Sequence, residues 1–211
     1  WSSDVCSSDL EAVKNIENAK DHEDQLSGIP SGFVELDRIT SGWQRSDLVI
    51  IAARPGMGKT AFVLSMARNM AVTYHKPIAI FSLEMSSIQL ITRLISSESR
   101  IPNDKLKSGR LDGHEWQQLL DKITPITEAK MMIDDTPGLS VFELRAKARR
   151  FKQQYDIQCI VIDYLQLMTA GGDAKGNREQ EISTISRSLK NLAKELDIPI
   201  IALSQLNRGV E

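Results

Sequence analysis

The sequence predicts an α/β fold in which a mostly parallel sheet carries helices on both faces. Four apolar runs have the length and composition of buried strands, at residues 48–53, 77–83, 159–163 and 198–203. Stretches with apolar residues at helical spacing separate these runs. Strands that alternate with helices are joined by right-handed crossovers, which place helices on both faces of a parallel sheet.

Composition narrows the class of protein. The chain has 211 residues, of which 41% are hydrophobic and 26% charged, as expected for a soluble globular domain with a sizeable core. We find no membrane span or signal peptide, and Cys6 and Cys159 give neither a disulfide framework nor a metal-ligand spacing. We therefore expect a cytoplasmic protein. The net charge of −2 gives no basic signature for nucleic acid, but basic loops lining a channel would escape this measure.

The chain divides into three segments. Residues 1–10 have no helical or strand periodicity and resemble a translated sequencing adapter, so we interpret them as a non-native leader. Residues 11–27 combine a polar stretch of helical propensity with a charged stretch, which predicts a linker helix and a linker. Residues 28–211 form the predicted domain.

The first strand leads into a glycine-bearing loop that ends in Gly58, Lys59 and Thr60, and a predicted helix over 61–74 follows at once. This order predicts a phosphate-binding loop, because backbone N–H groups and the helix dipole then face an anion. Lys59 is expected to reach the β- and γ-phosphates and Thr60 to bind Mg²⁺. The residues predicted to hold the nucleotide are Arg54, Pro55, Gly56, Met57, Gly58, Lys59 and Thr60. The motif usually opens with glycine, and here Ala53 stands in that position; the alternative is a turn that binds nothing.

Capping residues predict where several helices begin. Three pairs have the spacing of a capping box, namely Ser86 with Gln89, Asp112 with Glu115, and Ser140 with Glu143. The three helices are expected to end near residues 99, 123 and 155. Residues 131–133 are a candidate strand, and residues 179–196 have the single apolar face of an amphipathic helix.

Polar groups follow the other three strands at the sheet edge where ligands of open parallel sheets bind. Asp163 would hold Mg²⁺ opposite Thr60, or else cap the next turn. Glu84 would polarise a water that attacks the γ-phosphate, or else pair with the dipole of the next helix. Gln205 would bind a γ-phosphate oxygen, or else lie on a surface turn. For Glu84 and Gln205 the residues alone leave both readings open.

Several segments, in order, resemble the hexameric replicative DNA helicases of the DnaB type, which have a RecA-like ATPase fold. The matching segments are GIPSGFVELD (28–37), SGWQRSD (41–47), AARPGMGKT (52–60), FSLEM (81–85), IDDTP (133–137), VIDYLQL (161–167) and ALSQLNR (202–208). The resemblance covers the chain from about residue 11 onward. It implies ATP and Mg²⁺ as cofactors, with Lys59 and Thr60 on the phosphates and the metal.

The resemblance also implies roles for the remaining site residues. Glu84 would be the catalytic base, Asp163 the metal-binding carboxylate and Gln205 the γ-phosphate sensor that couples hydrolysis to DNA. A polar loop would form part of the channel that holds single-stranded DNA, through Lys175, Asn177, Arg178 and Glu179. The alternative for that loop is an exposed segment that caps the following helix.

The family works as a homohexamer with an arginine finger given in trans, and its partners include a primase and a helicase loader. The resemblance implies that this domain lacks its arginine segment beyond Glu211 and a primase-facing domain upstream, so we expect weak ATP hydrolysis by the chain alone. Two alternatives use the same fold or loop. One is a RecA-like recombinase or repair ATPase that coats DNA as a filament. The other is a nucleotide-binding regulatory module or small-molecule kinase, although we identify no acceptor pocket.

Overall fold

Five parallel strands form one sheet in a computed structural model that describes residues 26–169 and 178–206. In chain order the strands are β1 (Leu48–Ala53), β2 (Ile78–Ser82), β3 (Met131–Asp134), β4 (Cys159–Asp163) and β5 (Ile200–Gln205). Their order across the sheet is β1-β5-β4-β2-β3, and every pairing is parallel. The predicted α/β fold with a parallel sheet is therefore confirmed. The carboxyl ends of β1, β5, β4 and β2 lie side by side.

Helices cover both faces of the sheet, as predicted. They are α1 (Val34–Thr40), α2 (Lys59–Arg68), α3 (Ser87–Ser99), α4 (Asn103–Ser108), α5 (Gly113–Glu128), α6 (Val141–Tyr155) and α7 (Arg178–Leu196). One core cluster joins α6 and α7 to one face of the sheet, and a second joins α2 and α3 to the other. Alternate residues of each central strand serve the two clusters. In β2, for example, Phe81 belongs to the first cluster and Ile80 to the second.

The predicted capping boxes are present at the starts of α3, α5 and α6. The predicted end of α5 near residue 123 is wrong, because the helix continues through Pro125 to Glu128. Pro125 is exposed, whereas Ile126 packs against the α2 and α3 side of the core. Packing of Ile126 therefore outweighs the hydrogen bond that proline removes. The short helices α1 and α4 were not predicted.

Two other boundaries differ from the prediction. The helix expected over 61–74 is α2 followed by a π-helical turn, Asn69–Thr73. The last strand begins at Ile200, because Ile198 donates its N–H to Ala193 O at the end of α7 and Pro199 has no N–H. It extends to Gln205, which lies opposite Ala53 of β1. Residues 1–10 and the predicted linker helix fall outside the described residues.

The prediction that β1 is a buried strand is wrong for part of its length. Val49 and Ile51 pack against the α2 side of the core, and Leu48 packs against the α7 side. Further along the second face, Ile50 is 45% exposed. The strand lies at one edge of the described sheet, so α7 covers only its beginning. None of the described helices is long and apolar enough to span a membrane.

The segment before β1 folds into a support for α2. Both carboxylate oxygens of Asp37 accept backbone N–H groups, from Ser31 at 2.8 Å and from Gly32 at 3.0 Å. Gly32 has a φ of +79°, and a Cβ there would lie 2.4 Å from the side chain of Asn69. The ring of Phe33 stacks on Phe62 of α2 with centroids 4.9 Å apart. This turn therefore fixes the helix that follows the phosphate loop.

Candidate nucleotide site

The loop between β1 and α2 presents an uncapped helix start. Gly56 and Gly58 have φ values of +77° and +82°, which glycine adopts without steric cost. Gly58 is the N-cap of α2, no side chain among the described residues caps this end, and the first turn has no acidic residue. A Cβ at either glycine would meet no atom of residues 26–169 or 178–206 within 4 Å, so these residues leave the loop open above its backbone. The first-turn N–H groups are therefore available to an anion.

Lys59 lies at the carboxyl ends of two strands. Its Nζ donates to Ala53 O at 2.9 Å, and the same carbonyl accepts the N–H of Leu206 at 3.2 Å. Ala53, which stands where the motif usually has glycine, thus contributes its backbone carbonyl oxygen, and any residue type supplies that group. This contact places the ammonium of Lys59 beside the ends of β1 and β5.

Thr60 and Asp163 are brought together from positions 103 residues apart. The hydroxyl of Thr60 donates to Asp163 Oδ2 at 2.9 Å. Asp163 is 4% exposed, and its carbonyl accepts the N–H of Leu83 at 2.7 Å. Burial raises the pKa of Asp163, and the negative charge of Glu84 raises it further, whereas Thr60, Lys59 and Arg93 act in the opposite direction. Ionised Asp163 is therefore a desolvated charge that a cation would stabilise.

These two side chains fit a magnesium ion. Carboxylate and hydroxyl oxygens are hard ligands of the kind Mg²⁺ prefers, and Mg²⁺ commonly uses only one or two protein groups beside phosphate and water. Among the described residues no group of three or more His, Cys, Asp or Glu side chains could hold a metal ion. Thr60 and Asp163 thus offer the one or two protein oxygen ligands that Mg²⁺ commonly uses beside phosphate and water.

Glu84 lies on the turn between β2 and α3, on the exposed surface next to Asp163. Ser82 fixes this turn, because its hydroxyl donates to Met85 O at 2.6 Å and accepts the N–H of Met85 at 3.2 Å. The start of α3 is held separately, since Ser87 donates its N–H to Asp135 Oδ2 at 2.8 Å. Ser86 and Gln89 cap α3 reciprocally, so the helix start does not depend on Glu84.

Gln205 ends β5 between the phosphate loop and Asp163. The backbone of Gln205 lies opposite Ala53, and the residue is partly buried. Of the predicted DNA-contacting residues, Lys175 and Asn177 lie outside the described residues. Arg178 begins α7, and Glu179 is exposed in its first turn. The structure thus brings together the phosphate loop, Thr60, Asp163, Glu84 and the end of β5.

Sequence reasoning missed two residues near this site. Arg93 of α3 acts electrostatically on Asp163 although 70 residues separate them in the chain. Gln166 bonds to the backbone of Gln205. Arg93 has no local signature, because it is one of several polar residues on an amphipathic helix. Gln166, however, lies within the VIDYLQL segment, and its distance from Asp163 in sequence was a usable signal.

A family model, described as the DnaB-like helicase C terminal domain, matches residues 28–211. The chain belongs to this family. The replicative DNA helicase DnaB of Geobacillus stearothermophilus is 50% identical over 202 residues, which cover 96% of this chain and 44% of that protein. The replicative DNA helicase DnaC of Bacillus subtilis is 48% identical with the same coverage. The chain thus spans less than half the length of these curated relatives.

Solved structures agree with this membership in the DnaB-like family. One solved ATPase domain superposes with a TM-score of 0.88 at 40% identity, covering 97% of this chain and 73% of that one. A DnaB-like replicative helicase, solved in a study of its interactions with primase, gives a TM-score of 0.85 at 38% identity. It covers 99% of this chain and 49% of that one. The predicted RecA-like ATPase fold and the resemblance to DnaB-type helicases are confirmed.

Proposed function

We propose that this chain is the ATP-hydrolysing motor domain of a replicative DNA helicase. The single observation that carries the proposal is the contact between Thr60 and Asp163 at the mouth of the uncapped phosphate loop. It joins a helix start suited to phosphate with a carboxylate suited to Mg²⁺. Membership in the DnaB-like family and the names of its relatives support the same function.

ATP binding would depend first on backbone N–H groups of the phosphate loop. The N–H groups of residues 56–60 surround the β- and γ-phosphates of ATP, and Lys59 exchanges its contact with Ala53 O for phosphate oxygens. Thr60 and Asp163 hold Mg²⁺, which when bound neutralises charge on the transferred phosphoryl group. Arg54, Pro55 and Met57 of the same loop would lie around the nucleotide.

Hydrolysis would depend on Glu84. Its carboxylate orients a water in line with the bond between the γ-phosphorus and the bridging oxygen, and accepts a proton from that water. The new bond joins the water oxygen to the γ-phosphorus, and ADP leaves with the bridging oxygen. The hydroxyl of Ser82 supports this role, because it fixes the turn that carries Glu84.

Work on DNA would require the assembled protein. We propose a homohexamer that passes single-stranded DNA through its channel, with Lys175, Asn177, Arg178 and Glu179 near the strand. Gln205 would bind the γ-phosphate and thereby couple ATP hydrolysis to the residues near the DNA strand. Primase and a helicase loader are the proposed partners, and the structural relative studied with primase supports the first. Affinity for DNA is then expected to fall with salt and to vary little with sequence. The cytoplasmic location stays a prediction.

Strand displacement on a forked DNA duplex tests the proposal. The complete protein should unwind the fork with ATP and Mg²⁺, and Glu84→Gln should bind ATP yet lose hydrolysis and unwinding. Glu128→Gln, at the exposed end of α5, is the matched control and should retain both. Hydrolysis that DNA stimulates without displacement would favour a filament-forming ATPase. Full turnover by Glu84→Gln would contradict the assigned base.

A further inference from the structure

The ends of β4 and β5 separate at the point where the site is built. Backbone register between these strands is present at three residue pairs and ends at Ile162 with Ala202. The last three residues of β5 pair only with β1 among the described strands, up to Ala53 with Gln205. The edge of β5 that faces β4 therefore has polar backbone groups beyond Ala202 that the ladder does not satisfy.

Gln166 fills this gap with its side-chain amide. Its Nε2 donates to Ser204 Oγ at 2.8 Å and to Gln205 O at 3.2 Å. Its Oε1 accepts the N–H of Gln205 at 3.3 Å. An amide is the neutral side-chain group that both donates and accepts in this way, so Gln166 takes the place of a peptide unit from β4.

The turn that carries Gln166 is fixed by the core. It lies in a 3₁₀ turn, Leu165–Leu167, that begins two residues after Asp163. Leu165 and Met168 are buried on either side of it, in the cluster that contains α6 and α7. Gln166 is therefore a rigid link between the strand that ends in Asp163 and the strand that ends in Gln205.

We infer that Gln166 is a positioning residue that holds Gln205 in register with Asp163. The inference rests on the proposed function, in which Gln205 contacts the γ-phosphate. On one side the backbone of β5 is held by β1, through Leu206 N–H and Ala53 O. On the other side it is held by Gln166. Without the amide, one side of Gln205 is released, and its side chain loses a fixed distance from the metal-binding carboxylate.

Kinetics of Gln166→Met in the complete protein test this inference. Methionine has a similar size but makes no amide hydrogen bonds, and kcat should fall by about tenfold, since small misplacements of a site group are costly. KM for ATP and the affinity for ADP should stay at wild-type values, because the phosphate loop is untouched. Gln158→Met is the matched control. Gln158, just before β4, also donates its amide to a backbone carbonyl, that of Asp156 at 2.9 Å, but at the opposite end of the strand.

A double variant separates positioning from a general structural effect. Gln166→Met combined with Gln205→Ala should hydrolyse ATP no more slowly than Gln205→Ala alone, because Gln166 acts through Gln205. Losses that add in full would overturn the inference, as would wild-type kcat in Gln166→Met.

Amide hydrogen exchange gives a readout that needs no hydrolysis. Gln166→Met should speed exchange in peptides that contain Gln205, leaving β2 protected as in wild type, whereas Gln158→Met should not affect these peptides. Unchanged exchange at Gln205 would overturn the inference even in an active helicase. If the wild-type protein failed to hydrolyse ATP, the proposed function would be wrong. Faster exchange at Gln205 in Gln166→Met would still show that Gln166 holds the backbone of Gln205.

Discussion

Asp163 and Asp134 each end a parallel strand and each lie beside a threonine, yet their surroundings differ. Asp134, at the end of β3, accepts two hydrogen bonds from Lys147 Nζ, at 2.6 and 2.9 Å, and one from the N–H of Thr136 at 3.1 Å. Asp163, at the end of β4, accepts the hydroxyl of Thr60. Within the described part of the chain it has no ion pair. Asp134 therefore has a lysine in direct contact, whereas the cationic groups that act on Asp163, Lys59 and Arg93, form no ion pair with it among the described residues.

The pKa values follow this difference. Partial burial opposes ionisation of Asp134, but the hydrogen bonds from Lys147 and Thr136 outweigh it and hold its pKa below the usual value. Burial raises the pKa of Asp163, and its contact with Thr60 does not reverse the shift. Asp134 stabilises the fold, whereas the ionised form of Asp163 is a desolvated charge that a bound cation would stabilise.

The largest expected effect is on hydrolysis. Asp163→Asn should lower kcat for ATP by about a thousandfold, as expected when a group that stabilises transition-state charge is lost. Asp134→Asn should retain most of the wild-type rate, because Asp134 lies on the far side of β2 from β4. Steady-state assays of both variants at saturating Mg²⁺ decide this. Equal losses in the two variants would remove the contrast.

Two lysines extend the comparison to binding. Lys59→Ala should weaken ATP binding by about a hundredfold, the value of one strong charged hydrogen bond. Lys147→Ala should leave ATP affinity unchanged and destabilise the protein by about 2 to 3 kcal/mol, because it leaves Asp134 unpaired. Titration with a fluorescent nucleotide measures the first effect and urea unfolding the second. Weak nucleotide binding by Lys147→Ala would show that Lys147 and Asp134 belong to the nucleotide site.

Stability should change in opposite directions for the two aspartates. Without nucleotide, Asp163→Asn should stabilise the protein by about 1 kcal/mol, because the substitution removes a desolvated charge from a functional site. Asp134→Asn should destabilise it by about 1 to 3 kcal/mol. Thermal unfolding of the protein free of nucleotide and Mg²⁺ measures both. Destabilisation by Asp163→Asn would show that Asp163 is a structural residue.

The smallest effect is the pH dependence of these differences. A depressed pKa contributes stability above the usual aspartate value of 3.8 that is lost as pH falls through the folded pKa, so the cost of Asp134→Asn should be constant from pH 5 to 7. A raised pKa contributes stability below 3.8 that is lost as pH rises through the folded pKa. The gain from Asp163→Asn should therefore grow from about pH 4 upward. A gain independent of pH would rule out ionisation as its cause.

Much of this arrangement is local and was predictable from the sequence. The strand ends and the three capping boxes depend on residues within a few positions of one another, and the order of strands and helices fixes which ends meet. What the sequence missed depends on contacts between distant residues. Ile126 carries α5 past Pro125 through packing, and Ile50 is exposed because of its place in the sheet. Asp134 and Asp163 look alike in sequence, because each ends an apolar strand. Only the fold shows that Lys147 contacts Asp134 and not Asp163.

The Mg²⁺ dependence of nucleotide affinity shows whether Asp163 binds the metal ion. The affinity for a non-hydrolysable ATP analogue would be measured with and without Mg²⁺ in the wild-type protein, Asp163→Asn and Asp134→Asn. We expect Mg²⁺ to tighten binding in the wild type and in Asp134→Asn and to have little effect in Asp163→Asn. An undiminished Mg²⁺ effect in Asp163→Asn would contradict the assignment of Asp163 as the metal-binding carboxylate.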